Sequence, residues 1–153
     1  MPYAIRTATI ADIGHIIQQR EAMFRDMRIA ADFDNMSAAL EGWLRHAIPS
    51  KTYHGWIAES PSGEAAAGGG LIVIPWPPGP VTMDPRCGFV FNVYTAPAHR
   101  KQGLARRLME AMHDYCRAEG IERLVLNAST FGKPLYDSLG YVVTNEPMMR
   151  IKL

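Results

Sequence analysis

The stretch from residue 88 to residue 129 constrains the fold more than any other part of the chain. It opens with GFVFNVYT, an apolar and aromatic run that predicts a strand, and Pro97 ends that strand. From Gly103 to Glu119 apolar residues recur at helical spacing, and Gly120 is a typical residue to end a helix. ERLVLNAS then predicts a second strand. Because this order forms a βαβ unit with parallel strands, the sequence indicates an α/β fold.

The rest of the chain predicts further elements of the same domain. YAIRTATI predicts a short strand, and the segment from Thr9 to Asp12 has the residue types of a capping box before a helix. That helix continues to Met27, with the polar run QQRE on its other faces. The other predicted elements are a helix over about 36–47, a hairpin of strands near 53–59 and 65–74, a proline-rich loop over 75–86, a short helix over 133–140 and a last strand or strand pair over 141–153. Three consecutive glycines make the start of the second hairpin strand uncertain, and the loop is long enough to be a lid or a wall.

Composition limits the classes of protein that this chain can belong to. A chain of 153 residues, 48% of them hydrophobic, has room for one domain with a core, which we place over residues 1–153. The 16 basic and 15 acidic residues give a net charge of +1, so no global field would attract nucleic acid or an anionic membrane. Cys87 and Cys116 lack the spacing of metal ligands, and no leader-like or membrane-spanning run is present. We therefore expect a cytoplasmic protein that binds no metal, nucleic acid or membrane.

A basic loop, HRKQGLARRLM over residues 99–109, joins the first strand of the βαβ unit to its helix. The ligand side of such a unit lies where the strand ends and the first amides of the next helix have no helical partner. The amides of residues 102–106 favour an anion such as phosphate, and Gly103 lets the backbone approach it closely. Mobile positive charge comes from Arg100, Lys101, Arg106 and Arg107. Neither the Walker pattern nor the three-glycine dinucleotide fingerprint is present.

The segment RKQGLA, Arg100 to Ala105, resembles the Arg/Gln-x-x-Gly-x-Gly/Ala signature of the GCN5-related N-acetyltransferase (GNAT) superfamily. The resemblance extends over residues 93–142, where the order and spacing of the elements are similar to the strand, helix, strand and helix core of that family. It implies an α/β domain with a mixed central sheet of about six to seven strands and about four flanking helices. It also implies acetyl-CoA as co-substrate, with a binding core over about residues 87–142.

The resemblance assigns roles to individual positions. The basic loop would bind the pyrophosphate, and the strand before it would bond to pantetheine, with the amide near residue 93 polarising the thioester carbonyl. The residues expected to bind the cofactor are Val93, Tyr94, Thr95, Arg100, Lys101, Gln102, Gly103, Leu104, Ala105, Arg106, Asn127, Ser129 and Lys133. Tyr136 matches a tyrosine that protonates the departing CoA thiolate in many members, and a phenol is a reasonable donor for that step.

The implied reaction is acetyl transfer to a primary amine by direct attack in a ternary complex, which requires a neutral amine and a fixed donor for the oxyanion. Many relatives have a glutamate on the strand before the signature, whereas this chain has Asn92, which can orient an amine but cannot take its proton. Other candidate bases are Glu21, Glu41, His54 and Glu59. The candidate acceptor-site residues are Phe24, Trp43, Trp76 and Asn92.

Several alternatives stay open at this point. A non-catalytic acyl-CoA-binding or regulatory module could keep the same loop, and a nucleic-acid-binding domain is disfavoured because the chain has no second basic stripe. The acceptor could be a small-molecule or peptide amine. A homodimer is compatible with the family, and four methionines could form core or a dimer contact: Met109, Met112, Met148 and Met149. Cys87 could lie near the acyl group but has no visible activating partner.

Overall fold

A computed structural model describes residues 2–153. Within this range the chain forms five strands and four α-helices. In chain order they are β1 (Ala4–Thr7), α1 (Ile13–Asp26), α2 (Phe33–Ala47), β2 (Tyr53–Glu59), β3 (Ala65–Pro75), β4 (Arg86–Thr95), α3 (Leu104–Ala118), β5 (Leu124–Val125) and α4 (Lys133–Ser138). Short 3₁₀ turns cover Ile10–Asp12 and Pro97–His99. None of the helices in residues 2–153 is long and apolar enough to cross a membrane.

The strands form one mixed sheet in the order β1-β2-β3-β4-β5. The pairs from β1 to β4 are antiparallel, whereas β4 and β5 are parallel and are joined through α3, which confirms the predicted βαβ unit. Helices α1 and α2 pack on each other, and α1 contacts β3 and β4. Helix α3 covers the opposite face, where it contacts β1 to β4. The molecule is therefore a single α/β domain with a helical layer on each face of the sheet.

Each face of the sheet has its own hydrophobic core. On the α3 face the buried helix side chains are Leu104, Leu108, Met109, Met112 and Cys116. On the α1 and α2 face the buried side chains include Ile13, Ile16, Leu44 and Ile57. The predicted apolar face of α3 is thus its buried face, because a stripe at helical spacing must be removed from water.

The predicted capping box is present and anchors α1 to the sheet. The Thr9 hydroxyl accepts from the Ala11 amide at 3.3 Å, and the Asp12 carboxylate accepts from the Thr9 amide at 2.8 Å. Arg6 on β1 donates two hydrogen bonds to Asp12 and one to Glu59 on β2. These contacts hold the pKa of the buried Asp12 below its usual value, chiefly through Arg6. A single carboxylate therefore joins β1 to the start of α1.

The three glycines that obscured the start of β3 lie inside this strand and make room for side chains from both layers. A Cβ at Gly68 would collide with the side-chain oxygen of Gln19, and a Cβ at Gly70 would collide with the Tyr53 phenol. On the other face, a Cβ at Gly69 would collide with the terminal methyl of Met112. Packing requires glycine most strongly at Gly70, because the Tyr53 ring is buried, whereas the Gln19 and Met112 contacts involve the flexible ends of long side chains.

The predicted sheet of six to seven strands was wrong, because the structure has five. The segment over 122–129 is strand only at Leu124–Val125, since β5 diverges from β4 beyond that point. Residues 141–153 contain no strand, and apolar side chains such as Val142 and Met149 are 84% and 89% exposed. Two physical features explain this: Pro147 lacks a backbone donor, and the two residues of β5 offer little edge to pair with.

Candidate active site

A cleft opens in the sheet because β4 is much longer than its parallel neighbour. The two strands pair only at Gly88 with Leu124 and at Phe89 with Val125. Beyond Phe89, residues 90–95 of β4 have no strand partner on that side within the described chain, although they remain close to β3 on the other side. From Val90 to Thr95 the backbone edge of β4 is therefore unpaired on the β5 side, and we call the gap between the two strands, which leads to the basic loop, the cleft.

The basic loop presents main-chain donors at the end of this cleft. Lys101 and Gly103 have positive φ angles of 61° and 74°, which turn the chain sharply before α3 begins at Leu104. The amides of residues 102–106 donate no hydrogen bond to any other residue of the range 2–153. Because these donors are at a helix N-terminus, they favour an anionic ligand. The backbone geometry thus fits a phosphate group.

Three of the four basic side chains of the loop already have partners elsewhere. Arg100 donates to the Thr95 carbonyl at 3.0 Å and to Asp26 on α1 at 2.7 Å. Arg106 donates to the Ser138 hydroxyl on α4 at 2.5 Å, and Arg107 donates to the Tyr3 carbonyl at 2.8 Å. Lys101 is exposed. These arginines hold the loop against α1, α4 and the residue before β1, so the main chain is the part of the loop most available to a ligand.

Tyr136 lies on α4 and is half-buried. Its ring packs on the core of the α3 face, and the Gly132 backbone comes so close that a Cβ there would be 2.9 Å from the ring. The phenol makes no side-chain hydrogen bond to another residue of the described chain, and burial raises its pKa above the usual value. Tyr136 is therefore a protonated, uncommitted donor across the neutral pH range.

The other residues predicted to contact the CoA arm differ in how available they are. Asn127 is exposed just beyond β5, where its amide contacts the Met148 sulfur at 3.9 Å. The Ser129 hydroxyl accepts from the Gly132 amide at 3.0 Å and so helps to begin α4. Lys133 donates to Asp137 one turn later at 2.7 Å. Ser129 and Lys133 thus have local structural partners as well as the role predicted for them.

A second group of side chains lies on the α1 and α2 face of β4, and we call it the Asn92 cluster. Its members are Arg20, Phe24, Trp43, Tyr53 and Asn92. The Arg20 guanidinium donates to the side-chain oxygen of Asn92 and lies 4.8 Å from the centre of the Phe24 ring. The Trp43 and Tyr53 rings meet edge to face at 5.7 Å. The structure thereby brings together three of the four predicted acceptor-site residues.

Asn92 reaches this cluster through an irregularity of β4. The pairing of β3 with β4 shifts between Gly68 and Gly70, and Asn92 has a positive φ of 58°. In a regular strand it would point to the same face as Val90, on the α3 side. The bulge turns its amide toward Arg20 and Tyr53 instead. Such a strained residue next to a cleft is typical of functional sites.

Sequence reasoning missed Arg20 and Tyr53 as members of this site. Burial raises the pKa of Tyr53 to about 12, although a hydrogen bond with Asn92 lowers it in part. Burial also lowers the pKa of the half-buried Arg20 guanidinium. The signal that could have located Tyr53 is a pair of glycines on neighbouring strands, because Gly55 on β2 and Gly70 in the glycine run of β3 leave space for a large ring on that face.

Trp76 and Cys87 lie at the other end of β4. Trp76 is 6.3 Å from the Phe89 ring, and Phe89 in turn stacks on Phe91 at 5.8 Å, so Trp76 belongs to an aromatic row separate from the Asn92 cluster. The loop that precedes β4 is held at the α3 to β5 turn, where Asp84 accepts from the Glu122 amide at 2.9 Å. Cys87 is fully buried, and burial raises the pKa of its thiol, so it has the properties of an unreactive core residue.

The candidate bases do not converge on Asn92. Glu41 pairs with Arg45 at 2.6 Å on the surface of α2, and Glu59 pairs with Arg6 at 2.8 Å. His54 is bonded to the Tyr115 hydroxyl at 3.1 Å on the α3 side. Glu21 accepts from Ser37 between α1 and α2. In residues 2–153, no group of three or more His, Cys, Asp or Glu side chains is arranged to hold a metal ion.

Comparison with known proteins adds to this geometry. Residues 18–141 match the acetyltransferase (GNAT) family, and this range contains the cleft, the basic loop, Tyr136 and the Asn92 cluster. The chain belongs to the GNAT family. This acetyltransferase family uses acetyl-CoA, and the resemblance carried by Arg100 to Ala105 is thereby confirmed.

Solved structures show the same fold over nearly the whole chain. A GCN5-related N-acetyltransferase from Ralstonia eutropha JMP134 is 33% identical, with a TM-score of 0.90 over 97% of this chain and 98% of that protein. A protein from Clostridium acetobutylicum described as a predicted acetyltransferase, solved with acetyl-CoA, is 24% identical, with a TM-score of 0.89 and coverage of 97% and 96%. A ribosomal-protein-alanine N-acetyltransferase from Brucella melitensis biovar Abortus 2308 is 17% identical, with a TM-score of 0.74 and coverage of 99% of each chain. No curated protein matches the sequence.

Proposed function

We propose that this GNAT protein transfers the acetyl group of acetyl-CoA to a primary amine by direct attack in a ternary complex. The observation that carries this proposal is the set of unbonded amides at residues 102–106, placed at the end of the cleft beside β4. Together they provide donors for a pyrophosphate and an open strand edge for an extended pantetheine arm. The other predicted cofactor residues line the strand, the loop and the segment after β5.

The chain's own residues would perform the transfer as follows. The acceptor nitrogen attacks the thioester carbonyl carbon, and the main chain near Val93 polarises the carbonyl oxygen. The carbon to sulfur bond then breaks, and the CoA thiolate takes the phenolic proton of Tyr136. The new amide nitrogen loses one proton to water, and the Tyr136 phenolate takes one proton back from water, which restores the phenol. No covalent intermediate on the enzyme is required.

The acceptor nitrogen must be neutral when it attacks. We propose that the amine is already in its neutral form when it binds to this enzyme. Asn92 accepts and donates hydrogen bonds but cannot act as a base at neutral pH. The candidate carboxylates Glu41 and Glu59 are paired with arginines. Asn92 would therefore orient the amine, while the proton of the ammonium form is lost to water before binding.

One observation favours a second candidate function. Asn92 stands where many relatives have a glutamate, so the protein could be an acyl-CoA-binding or regulatory module that retains the loop without catalysis. In either case we propose a cytoplasmic protein without a nucleic-acid or membrane partner. A homodimer stays a prediction, which sedimentation of the purified chain would test.

The test separates binding from turnover. A thermal shift with acetyl-CoA measures binding, and release of free thiol from acetyl-CoA across a panel of small and peptide amines measures transfer. We expect both a stabilisation and amine-dependent thiol release. Stabilisation without thiol release for any amine would favour the non-catalytic module, and no stabilisation at high micromolar acetyl-CoA would contradict both functions.

A further inference from the structure

Arg20 has no anionic partner, in contrast to three other partly buried arginines of the described chain. Arg6 contacts Asp12 at 2.8 Å, Arg86 contacts Asp84 at 2.9 Å and Arg100 contacts Asp26 at 2.7 Å. No carboxylate of residues 2–153 lies within 4.0 Å of the Arg20 guanidinium. The neighbouring Glu21 accepts from Ser37 instead. The charge of Arg20 is therefore uncompensated where it lies.

The hydrogen-bonding capacity of Arg20 is also largely unused. A guanidinium carries five N–H donors, and in this structure Arg20 donates to Asn92 alone. The Phe24 ring lies 4.8 Å from the guanidinium and offers it no hydrogen-bond acceptor of ordinary strength. Burial lowers its pKa, which is the signature of a charge that has lost water without gaining a counter-ion. A bound anion would supply both the charge and the missing acceptors.

The position of Arg20 connects this anion to the proposed reaction. Asn92, its partner, is the residue before Val93, whose amide we propose to polarise the thioester, and consecutive Cα atoms are about 3.8 Å apart. If Arg20 holds the anionic group of a short acceptor, the amine of that acceptor would thus lie close to the reacting carbonyl. The same side chains that hold Arg20 in place therefore lie next to the expected site of chemistry.

We propose that the acceptor is an amine that also carries a carboxylate, which Arg20 binds with its free N–H groups while Asn92 orients the amine. This proposal rests on the proposed function, since it names the substrate class of the same site. A carboxylate matches the planar, bidentate geometry of a guanidinium. A phosphate or phosphonate shares this chemistry, but its charge of about −1.5 to −2 would need more than the single cation of the Asn92 cluster.

The experiment compares matched acceptors that differ in one group. For a set of short amino acids, kcat/KM is measured with the free carboxylate, with the corresponding amide and with the aminophosphonate. We expect the carboxylate to be preferred to the amide by about ten- to hundredfold, as for a lost charge-assisted hydrogen bond. Equal rates for carboxylate and amide, or a preference for the phosphonate, would overturn the proposal.

Variants test whether Arg20 is the source of that preference. Arg20→Gln should remove the preference, because the carboxylate acceptor should lose far more of its kcat/KM than the amide acceptor, while the acetyl-CoA thermal shift should not change. Arg25→Gln is the matched control, because Arg25 lies on the same helix, is exposed and has its guanidinium over the Phe33 ring, 4.1 Å from the ring centre. We expect this control to keep the preference. If Arg20→Gln keeps it too, Arg20 is not the carboxylate site.

The design also remains decisive if Arg20→Gln does not fold. Arg20→Lys keeps the charge but loses the bidentate fork, so it should retain a reduced preference for the carboxylate. The wild-type ranking of acceptors needs no variant at all. If the wild type binds acetyl-CoA and acetylates amines without regard to a carboxylate, this inference fails while the proposed function stands. A wild type that releases no thiol with any amine would refute the proposed function itself.

Discussion

The basic loop follows β4, and the Asn92 cluster lies beside the same strand. The loop presents main-chain groups, whereas the cluster presents side chains. The loop is one continuous stretch whose free amides at residues 102–106 belong to the main chain. The cluster is assembled from side chains of α1, α2, β2 and β4. A main-chain site depends on backbone shape and so leaves a short motif, whereas a side-chain site depends on residues far apart in sequence. This difference explains why the loop could be predicted from a short stretch of sequence, whereas the cluster could not.

Replacing Tyr136 with Phe should have the largest effect, because it removes a proton donor and leaves both the loop and the Asn92 cluster intact. We expect kcat to fall on the order of 10²-fold, the usual contribution of a general acid. The acetyl-CoA thermal shift should not change. Steady-state thiol release measures the rate, and an unchanged kcat would remove Tyr136 from the mechanism.

The pH dependence of kcat/KM should separate the acceptor side from the cofactor side. Since no base contacts Asn92 in the described chain, only the fraction of neutral amine reacts, and kcat/KM should rise about tenfold per pH unit below the amine's own pKa. Burial raises the pKa of Tyr136, so the acid stays protonated and no fall is expected before about pH 10. Acceptors with different amine pKa values provide the measurement. If kcat/KM rises with the same apparent pKa for all of these acceptors, the group that titrates is instead a base of the enzyme.

Gly103→Val should impair the loop without touching the Asn92 cluster. Valine is strained at a φ of 74°, so the turn should relax and displace the amides that follow it. We expect the Kd for acetyl-CoA, measured by titration calorimetry, to rise about tenfold, which is about 1.4 kcal/mol. Gly63→Val is the matched control, because Gly63 is also exposed, has a φ of 84° and lies in the β2 to β3 turn. Equal losses of affinity in both variants would show a general stability effect instead.

Asp12→Asn should have the smallest effect on activity and should act on stability. It removes a buried carboxylate that accepts from Arg6 and Thr9, and we expect a loss of about 1–3 kcal/mol in the free energy of unfolding. Because the folded-state pKa of Asp12 is depressed, its contribution is present above its unfolded pKa and is lost as the pH falls through the folded value. Urea unfolding at pH 7 and pH 3 measures this. A difference between wild type and variant that stays constant with pH would contradict the assignment.

The sequence predicted the elements whose signals are local. The βαβ unit, the capping box at Thr9 and the hairpin all follow from periodicity and turn residues within short windows. The tail over 141–153 also has an alternating pattern, but a strand needs a partner edge, and the length of β5 cannot be read from the tail itself.

The acceptor side could be predicted only in part. Arg20 fell on a polar helix face by its spacing, yet the fold leaves it half-buried against Asn92. The strand pattern gives no sign that Asn92 takes a positive φ and points toward α1. Both facts arise from contacts between segments separated by 72 positions. The sequence indicates Phe24 and Trp43 as acceptor-site candidates only because they are large aromatic residues. They meet in the Asn92 cluster because of how α1 and α2 pack.

The most direct test of the central claim is an amide-resolved NMR titration of the isotopically labelled protein with acetyl-CoA. We expect the amides of residues 102–106 to be among the most strongly shifted, as for donors that gain an anionic acceptor, together with the edge of β4 near Val93. The amide of Gly63, in a turn of similar φ, should not move. Saturable binding that leaves residues 102–106 unperturbed would contradict the assignment of this loop as the acetyl-CoA site.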